Sequence, residues 1–136
     1  MSTRLQEKLE KLEHLLAKLA EDAAKGKPIV VEGKKDAQAL QDLGVEGAII
    51  TVKTGGKSFL ESTTEIEKLG VDAVILFLDF DRRGKEGTLL LKRDLERAKI
   101  KAETRFWREL QALVGREIQC IESLPAYLNT LQQKAN

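Results

Sequence analysis

The chain has 136 residues, enough for one domain with a real core, and its 23 basic and 22 acidic side chains nearly cancel, so any attraction for nucleic acid must be local. The single cysteine, Cys120, excludes a disulfide within the chain and a cysteine-cluster zinc site, which fits a reducing compartment. No apolar run reaches the length of a membrane span and the first residues do not resemble a signal peptide, so we expect a cytoplasmic protein with no membrane partner.

The first predicted element is an amphipathic helix over residues 3–25. Its apolar side chains are spaced alternately by four and three, which places them on one stripe: Leu5, Leu9, Leu12, Leu16, Leu19 and Ala23. The pattern favours a helix that packs on the sheet, and a contact surface for a homodimer or a protein partner is the alternative. We therefore expect an N-terminal amphipathic helix at 1–27 and a domain at 28–136.

A short apolar strand at Ile29–Val31 comes next, and Glu32 and Gly33 follow it directly. A helical pattern then runs from Asp36, the predicted N-cap, to Leu43. This order places a carboxylate at the carboxyl end of a strand, just before a helix.

A second strand is predicted over 48–52, and a glycine turn follows it. The turn consists of two glycines with a lysine on either side: Lys53, Gly55, Gly56 and Lys57. It is not a P-loop, because Thr51 stands where that pattern requires its first glycine. Since the turn leaves the carboxyl end of a strand, its lysines and glycines are candidates to line a cleft there.

An apolar run from Val74 to Leu78 predicts a strand buried on both faces, and Asp79 and Asp81 follow it. Residues i and i+2 of a strand point to the same side, so both carboxylates would project together at its carboxyl end. Open α/β sheets bind ligands at that end, and one or two carboxylates are what Mg²⁺ uses beside water and phosphate oxygens. The alternative is that this motif only ends the strand and caps the next helix.

The remaining pattern predicts helices at 58–69, 85–98 and 104–114, a connector at 100–104, a strand at 117–121 and a last helix from Ser123 to about Gln133. Trp107 has a surface on which a base could stack, but its helical pattern favours burial. The alternation of strands and helices predicts an α/β fold with a compact, mostly parallel four-stranded sheet, helices on both faces and an additional N-terminal helix.

In such a sheet, Glu32, Asp79 and Asp81 would lie along one edge, and basic side chains come from loops at the same edge. The candidates for binding phosphate or nucleic acid are Lys34, Lys35, Lys53, Lys57, Arg82 and Arg83, and the glycines of the site are Gly33, Gly55, Gly56 and Gly84. Carboxylates ringed by cations suit phosphoryl chemistry, because the metal activates water and the cations stabilise the transition-state charge.

These residues resemble the Toprim domain, the module shared by topoisomerases, bacterial-type primases, recombination-mediator proteins and some nucleases. The matching stretches are VVEGKKDAQAL (30–40) and FLDFDRRGKEG (77–87), with the Gly55-Gly56 turn between them, and the resemblance covers roughly residues 28–122. It is most similar to small stand-alone Toprim proteins and ribosomal-RNA-maturing Toprim ribonucleases, and its Asp-x-Asp-Arg-x-Gly form resembles the primase-like branch.

The resemblance implies a compact α/β fold and Mg²⁺, with Mn²⁺ as a substitute, held by Asp79 and Asp81. It implies Glu32 as a general acid or base, and we count Glu32 among the metal-binding carboxylates as well. The expected function is metal-dependent phosphodiester chemistry on RNA or DNA by a small nuclease. The alternative is a non-catalytic nucleic-acid-binding or adaptor subunit of a larger processing complex.

Other functions fit these residues less well. Type IA topoisomerases have acidic residues where this chain has Arg83 and Lys85, and its only tyrosine, Tyr127, falls in an apolar helix. A complete primase is disfavoured because no zinc-binding or helicase-binding region accompanies the motif. A phosphatase of the haloacid-dehalogenase type wants Thr or Val, then a small residue, where Arg82 and Arg83 stand. A response-regulator receiver needs a lysine after the final strand.

Overall fold

The computed structural model describes residues 3–52 and 59–135, and these form a β-sheet with helices against both of its faces. In chain order, the described elements are α1 (Thr3–Ala24), β1 (Ile29–Val31), α2 (Lys34–Asp42), β2 (Ile49–Thr51), α3 (Phe59–Lys68), β3 (Ala73–Leu76), α4 (Arg82–Arg97), β4 (Lys101–Glu103), α5 (Arg105–Val114), a 3-10 turn (Ile121–Ser123) and α6 (Leu124–Ala135). The predicted glycine turn, with Lys53, Gly55, Gly56 and Lys57, lies outside the described residues.

The four strands are all parallel and lie in the order β2-β1-β3-β4. Ile29 of β1 is opposite Ile49 of β2 on one side and Ile75 of β3 on the other. The predicted α/β class, with a four-stranded sheet and an N-terminal helix, is confirmed. Because β1 and β3 are neighbours and run in the same direction, the residues that follow these two strands meet at one edge of the sheet.

The fourth strand is not where the pattern predicted it. Residues 101–103, predicted as part of a connector, form β4 and pair with β3, while the predicted strand at 117–121 is wrong. In β4 only Ala102 is buried, because β4 lies at the edge of the sheet, and so its sequence carries little apolar signal. The stretch at 117–121 makes one sheet-like bond, from the Phe80 N–H to the Gln119 carbonyl at 2.7 Å, before the 3-10 turn begins.

Apolar side chains form two clusters, one on each face of the sheet. Alternate residues of β3 divide between them, since Ile75 joins the cluster under α1, α2, α5 and α6, whereas Val74 and Leu76 join the one under α3 and α4. Helices therefore cover both faces, as predicted. This arrangement buries β1 and β3, the two central strands, and leaves the carboxyl ends of both strands to form the site.

The N-terminal helix packs within the chain. The leucines of its stripe are buried or partly buried in a cluster that they share with α5, α6 and one face of the sheet, so the stripe packs inside the fold as predicted, with α5 and α6 as additional neighbours. Because the chain's own helices cover the stripe, a dimer or partner seam on it is not supported. None of the helices in the described ranges combines the length and apolar composition needed to cross a bilayer.

Candidate metal centre

The turn between β1 and α2 supplies two of the acidic side chains. Glu32 directly follows β1 and is buried. Helix α2 begins at Lys34, so the predicted N-cap role of Asp36 is wrong, and Gly33 occupies that position instead. The Gly33 N–H donates to Asp36 Oδ2 at 3.1 Å. Asp36 is the third residue of α2, and its side chain thus accepts the backbone N–H of the N-cap residue. Asp36 thereby stays at the edge of the sheet.

The turn between β3 and α4 supplies Asp79. The extended chain continues past the end of β3, and the Phe77 N–H still donates to the Val30 carbonyl of β1 at 2.8 Å. Asp79 is 9% exposed, and its Oδ1 accepts the Ile121 N–H at 2.9 Å. A segment from beyond α5 thus holds this carboxylate in place.

Asp81 has a different partner. It is the N-cap of α4, which begins at Arg82 rather than at the predicted Lys85, and its Oδ1 accepts the Gly84 N–H at 2.8 Å. A Cβ atom on Gly84 would lie 2.1 Å from the Asp79 carbonyl oxygen. Glycine at this position therefore lets the first turn of α4 pack directly on the backbone of the acidic loop.

Three carboxylates converge at this edge. Oxygens of Glu32, Asp36 and Asp79 all lie within 4.8 Å of one another. They open into a cleft of about 330 Å³ that Gly33, Lys34, Lys35 and Glu122 also line. Of the predicted metal-binding residues, the structure brings Glu32 and Asp79 together, and within the described residues Asp81 is not a member of this group.

Two acidic residues at the cleft were not predicted for it. Asp36 was assigned to the start of its helix, although a residue in the first turn after Glu32 already lies at the predicted edge, and that position was the available signal. Glu122 carried no signal, because it is 90 residues away from Glu32 in the chain and follows a segment that was wrongly predicted as a strand.

The electrostatics of the cluster favour a bound cation. Burial, a hydrogen bond with the Glu32 carboxyl and the charges of Asp36 and Glu32 together raise the pKa of Asp79 to about 8, against the opposing effect of the Ile121 N–H. Burial and the charges of Glu32 and Glu122 also raise the pKa of Asp36, against the Gly33 N–H. Three hard oxygen donors that cannot comfortably ionise together fit a divalent ion such as Mg²⁺ or Mn²⁺.

The predicted basic residues divide into two groups. Lys34 and Lys35 are exposed and line the cleft beside the carboxylates. Arg82 and Arg83 are exposed in the first turn of α4, where Arg82 Nε lies 3.1 Å from Glu86 Oε1. In the described part of the chain, the structure thus places lysines rather than arginines on the wall of the cleft.

The Toprim domain profile matches residues 27–107, more than half of the chain. The chain belongs to the Toprim family. It is similar to UPF0292 proteins of Methanosarcina barkeri (34% identical over 127 residues, covering 93% of this chain and 87% of the relative) and Methanocaldococcus jannaschii (35% over 126 residues, 93% and 96%). A solved putative protein from Aquifex aeolicus has the same fold, with a TM-score of 0.68 and 24% identity over 82% of this chain and 96% of that one.

Toprim domains bind divalent metal ions and act on nucleic acids. The acidic cluster of this Toprim protein lies where β1 and β3 end, and its donor set fits such an ion. Family and geometry therefore agree on metal binding, and the family adds nucleic-acid processing as the general role of such a site.

Proposed function

We propose that this Toprim protein is a small Mg²⁺-dependent nuclease, with Mn²⁺ as a substitute, that acts on the phosphodiester backbone of RNA or DNA in the cytoplasm. The observation that carries the proposal is the convergence of Glu32, Asp36 and Asp79, whose oxygens lie within 4.8 Å of one another beside two exposed lysines. A buried acidic cluster is costly for the fold, and the backbone hydrogen bonds that Asp36 and Asp79 accept do not by themselves require both carboxylates to lie beside Glu32.

In this proposal, Asp79 and Asp36 hold the ion, and each is already oriented by a backbone N–H, from Ile121 and Gly33 respectively. When bound, the ion would polarise a phosphate oxygen and lower the pKa of water. Glu32 is both a ligand and the general acid or base, because it is buried next to Asp79 and can exchange a proton with it.

Asp81 is proposed as an outer member of the site. Its Oδ1 caps α4, and its charge lies two residues from Asp79, where it adds to the attraction for a cation. Lys34 and Lys35 are proposed to contact phosphate oxygens, because they are exposed on the wall of the cleft. Arg82 and Arg83 would contact further phosphates along the nucleic-acid strand. Phosphate binding is also proposed for Lys53 and Lys57.

The test is cleavage of end-labelled single-stranded, duplex and structured RNA and DNA in the presence of Mg²⁺ or Mn²⁺. The wild-type protein is compared with Glu32→Gln, which keeps the shape of the side chain, and with Glu67→Gln as a matched control. Glu67 is an exposed residue of α3, on the other face of the sheet. We expect metal-dependent cleavage by the wild type and the Glu67 variant, and a loss of about 100-fold or more in Glu32→Gln.

The outcomes separate the two candidate functions. Cleavage that persists in Glu32→Gln would contradict the assigned site. Binding of nucleic acid by the wild type in EDTA, with no cleavage in any metal, would instead support the adaptor function. The substrate that is cut fastest would define the class of nucleic acid.

A further inference from the structure

We propose that Trp107 is a positioning residue for the metal centre. Its indole Nε1–H donates to the Leu78 carbonyl at 2.8 Å, and Leu78 directly precedes Asp79. The indole hydrogen-bonds to the backbone and does not line the cleft of the three carboxylates, so its effect on them acts through the backbone. The inference rests on the proposed metal site and adds a residue from α5 to it.

The sheet explains why an indole is needed at this point. The Lys101 N–H of β4 donates to the Asp72 carbonyl, just before β3, at 2.8 Å. Because successive carbonyls along an extended chain point to opposite sides, the carbonyls of the even-numbered residues of β3 face β4. The Leu78 carbonyl faces the same side, but β4 ends at Glu103 and the chain turns into α5. Among the described strands none lies beside the Leu78 carbonyl to donate to it, and the Trp107 indole N–H makes this hydrogen bond instead.

The peptide group on the other side of Asp79 is held in a similar way. The Phe80 N–H donates to the Gln119 carbonyl at 2.7 Å, and the rings of Phe80 and Trp107 pack with their centroids 6.0 Å apart. Both neighbours of Asp79 are therefore held by residues that follow β4. Loss of either bond would let the backbone turn and would move the Asp79 carboxylate away from Glu32 and Asp36. Outer-shell groups of this kind tune metal affinity without touching the ion.

The experiment measures Mn²⁺ and Mg²⁺ affinity by calorimetry in wild type, Trp107→Phe and Tyr127→Phe. Trp107→Phe keeps an aromatic ring and removes the donor. Tyr127→Phe is the matched control, because it removes the polar group of another half-buried aromatic residue, whose partner is Lys8. We expect metal affinity to fall about tenfold in Trp107→Phe and to stay within about twofold of wild type in Tyr127→Phe, with both variants folded.

A second replacement keeps the inference testable if Trp107→Phe does not fold. Trp107 is the only tryptophan, so it can be replaced throughout by benzothienylalanine, which keeps the bicyclic shape and has sulfur instead of N–H. This substitution should lower metal affinity as Trp107→Phe does.

The results distinguish this inference from the proposed function. If the wild type binds metal and both Trp107 replacements bind it within about twofold of wild type, the positioning role is wrong while the metal site stands. If the wild type binds neither ion, the metal site itself is wrong and the positioning role falls with it. An equal loss in Tyr127→Phe would show a general effect of destabilisation and would also overturn the inference.

Discussion

The two turns that build the site use the same residue type in opposite ways. At the start of α2, Asp36 is the third helical residue and accepts the N–H of the N-cap, Gly33. At the start of α4, Asp81 is the N-cap and accepts the N–H of the third helical residue, Gly84. These are the two halves of a capping box, divided between two helices. A carboxylate at the third helical residue can therefore cap its helix and still line the cleft.

The comparison also separates the two carboxylates of the Asp-x-Asp motif. Asp79 is buried, and its side chain is fixed by the Ile121 N–H beside Glu32. Asp81 is partly exposed and is fixed by the first turn of α4. Two residues that the sequence presents as equivalent thus have different surroundings, and their substitutions should have different effects.

The largest expected effect is on metal affinity. Asp79→Asn should weaken Mn²⁺ binding by about 100-fold or more, because it removes a charged ligand from the cluster, whereas Asp81→Asn should weaken it by about tenfold or less. Isothermal titration calorimetry of both variants measures the two losses. Asparagine can still cap α4, so Asp81→Asn should keep the stability of the wild type. A larger loss in Asp81→Asn than in Asp79→Asn would reverse the comparison.

The glycines of the two turns should differ as clearly as the carboxylates. In Gly84→Ala the new Cβ would lie 2.1 Å from the Asp79 carbonyl oxygen, so we expect a loss of about 1–3 kcal/mol in the free energy of unfolding. In Gly33→Ala the nearest atom is Asp36 Oδ2 at 4.0 Å and the backbone is extended, so the change should stay within about 0.5 kcal/mol. Urea unfolding of both variants checks this, and equal stabilities would show that α4 can shift away from the loop.

The cluster should also make the stability of the metal-free protein depend on pH. The pKa of Asp79 is about 8 in the folded chain and ordinarily 3.8, so the folded state holds an extra proton between these values. The free energy of unfolding should therefore fall as pH rises from about 4 to about 8. Thermal melts in EDTA at several pH values measure the slope, which should be shallower in Asp79→Asn.

The same linkage predicts that Mg²⁺ stabilises the protein more at pH 8 than at pH 5. Below the pKa of Asp79 the ion must displace the proton of this carboxyl. Displacing one proton weakens metal binding by about tenfold for each unit by which the pH falls below that pKa. Melts with and without Mg²⁺ give the two shifts. A shift in melting temperature that is the same at both pH values would argue against displacement of a proton by the ion.

The smallest expected effect concerns the cap of α4. Asp81→Ala removes the acceptor for the Gly84 N–H and should cost about 1 kcal/mol of stability, while Asp81→Asn should cost a few tenths at most. The difference in urea midpoint between these two variants isolates the cap from the charge. If alanine and asparagine are equivalent, the cap contributes little and the role of Asp81 is electrostatic.

Much of the fold was predictable because its central strands are apolar on both faces. The runs at Ile29–Val31 and Val74–Leu78 placed β1 and β3, and parallel order then put Glu32 and Asp79 at one edge. The edge strand β4 was missed because only Ala102 points into the core. The other edge strand, β2, was predicted because Ile49 and Ile50 are apolar, so an edge strand escapes the local pattern when its residues are mostly charged, as in β4.

The parts of the site that could not be predicted depend on distant residues. The Ile121 N–H reaches Asp79 from 42 positions away, and the Trp107 indole reaches Leu78 from 29 positions away. No spacing rule connects such positions, because tertiary packing alone brings them together. The helix caps were missed for another reason, since both helices begin earlier than their apolar periodicity indicates.

The bond between Ile121 and Asp79 has a consequence for the order in which the protein matures during its synthesis. A ribosome adds about 5–20 residues per second, so Asp79 is made seconds before the backbone group that holds it. Until that group arrives, a nascent chain carries the acidic motif without its final support. The activity of the centre, as we propose it, is thereby withheld until the chain has been translated past Ile121.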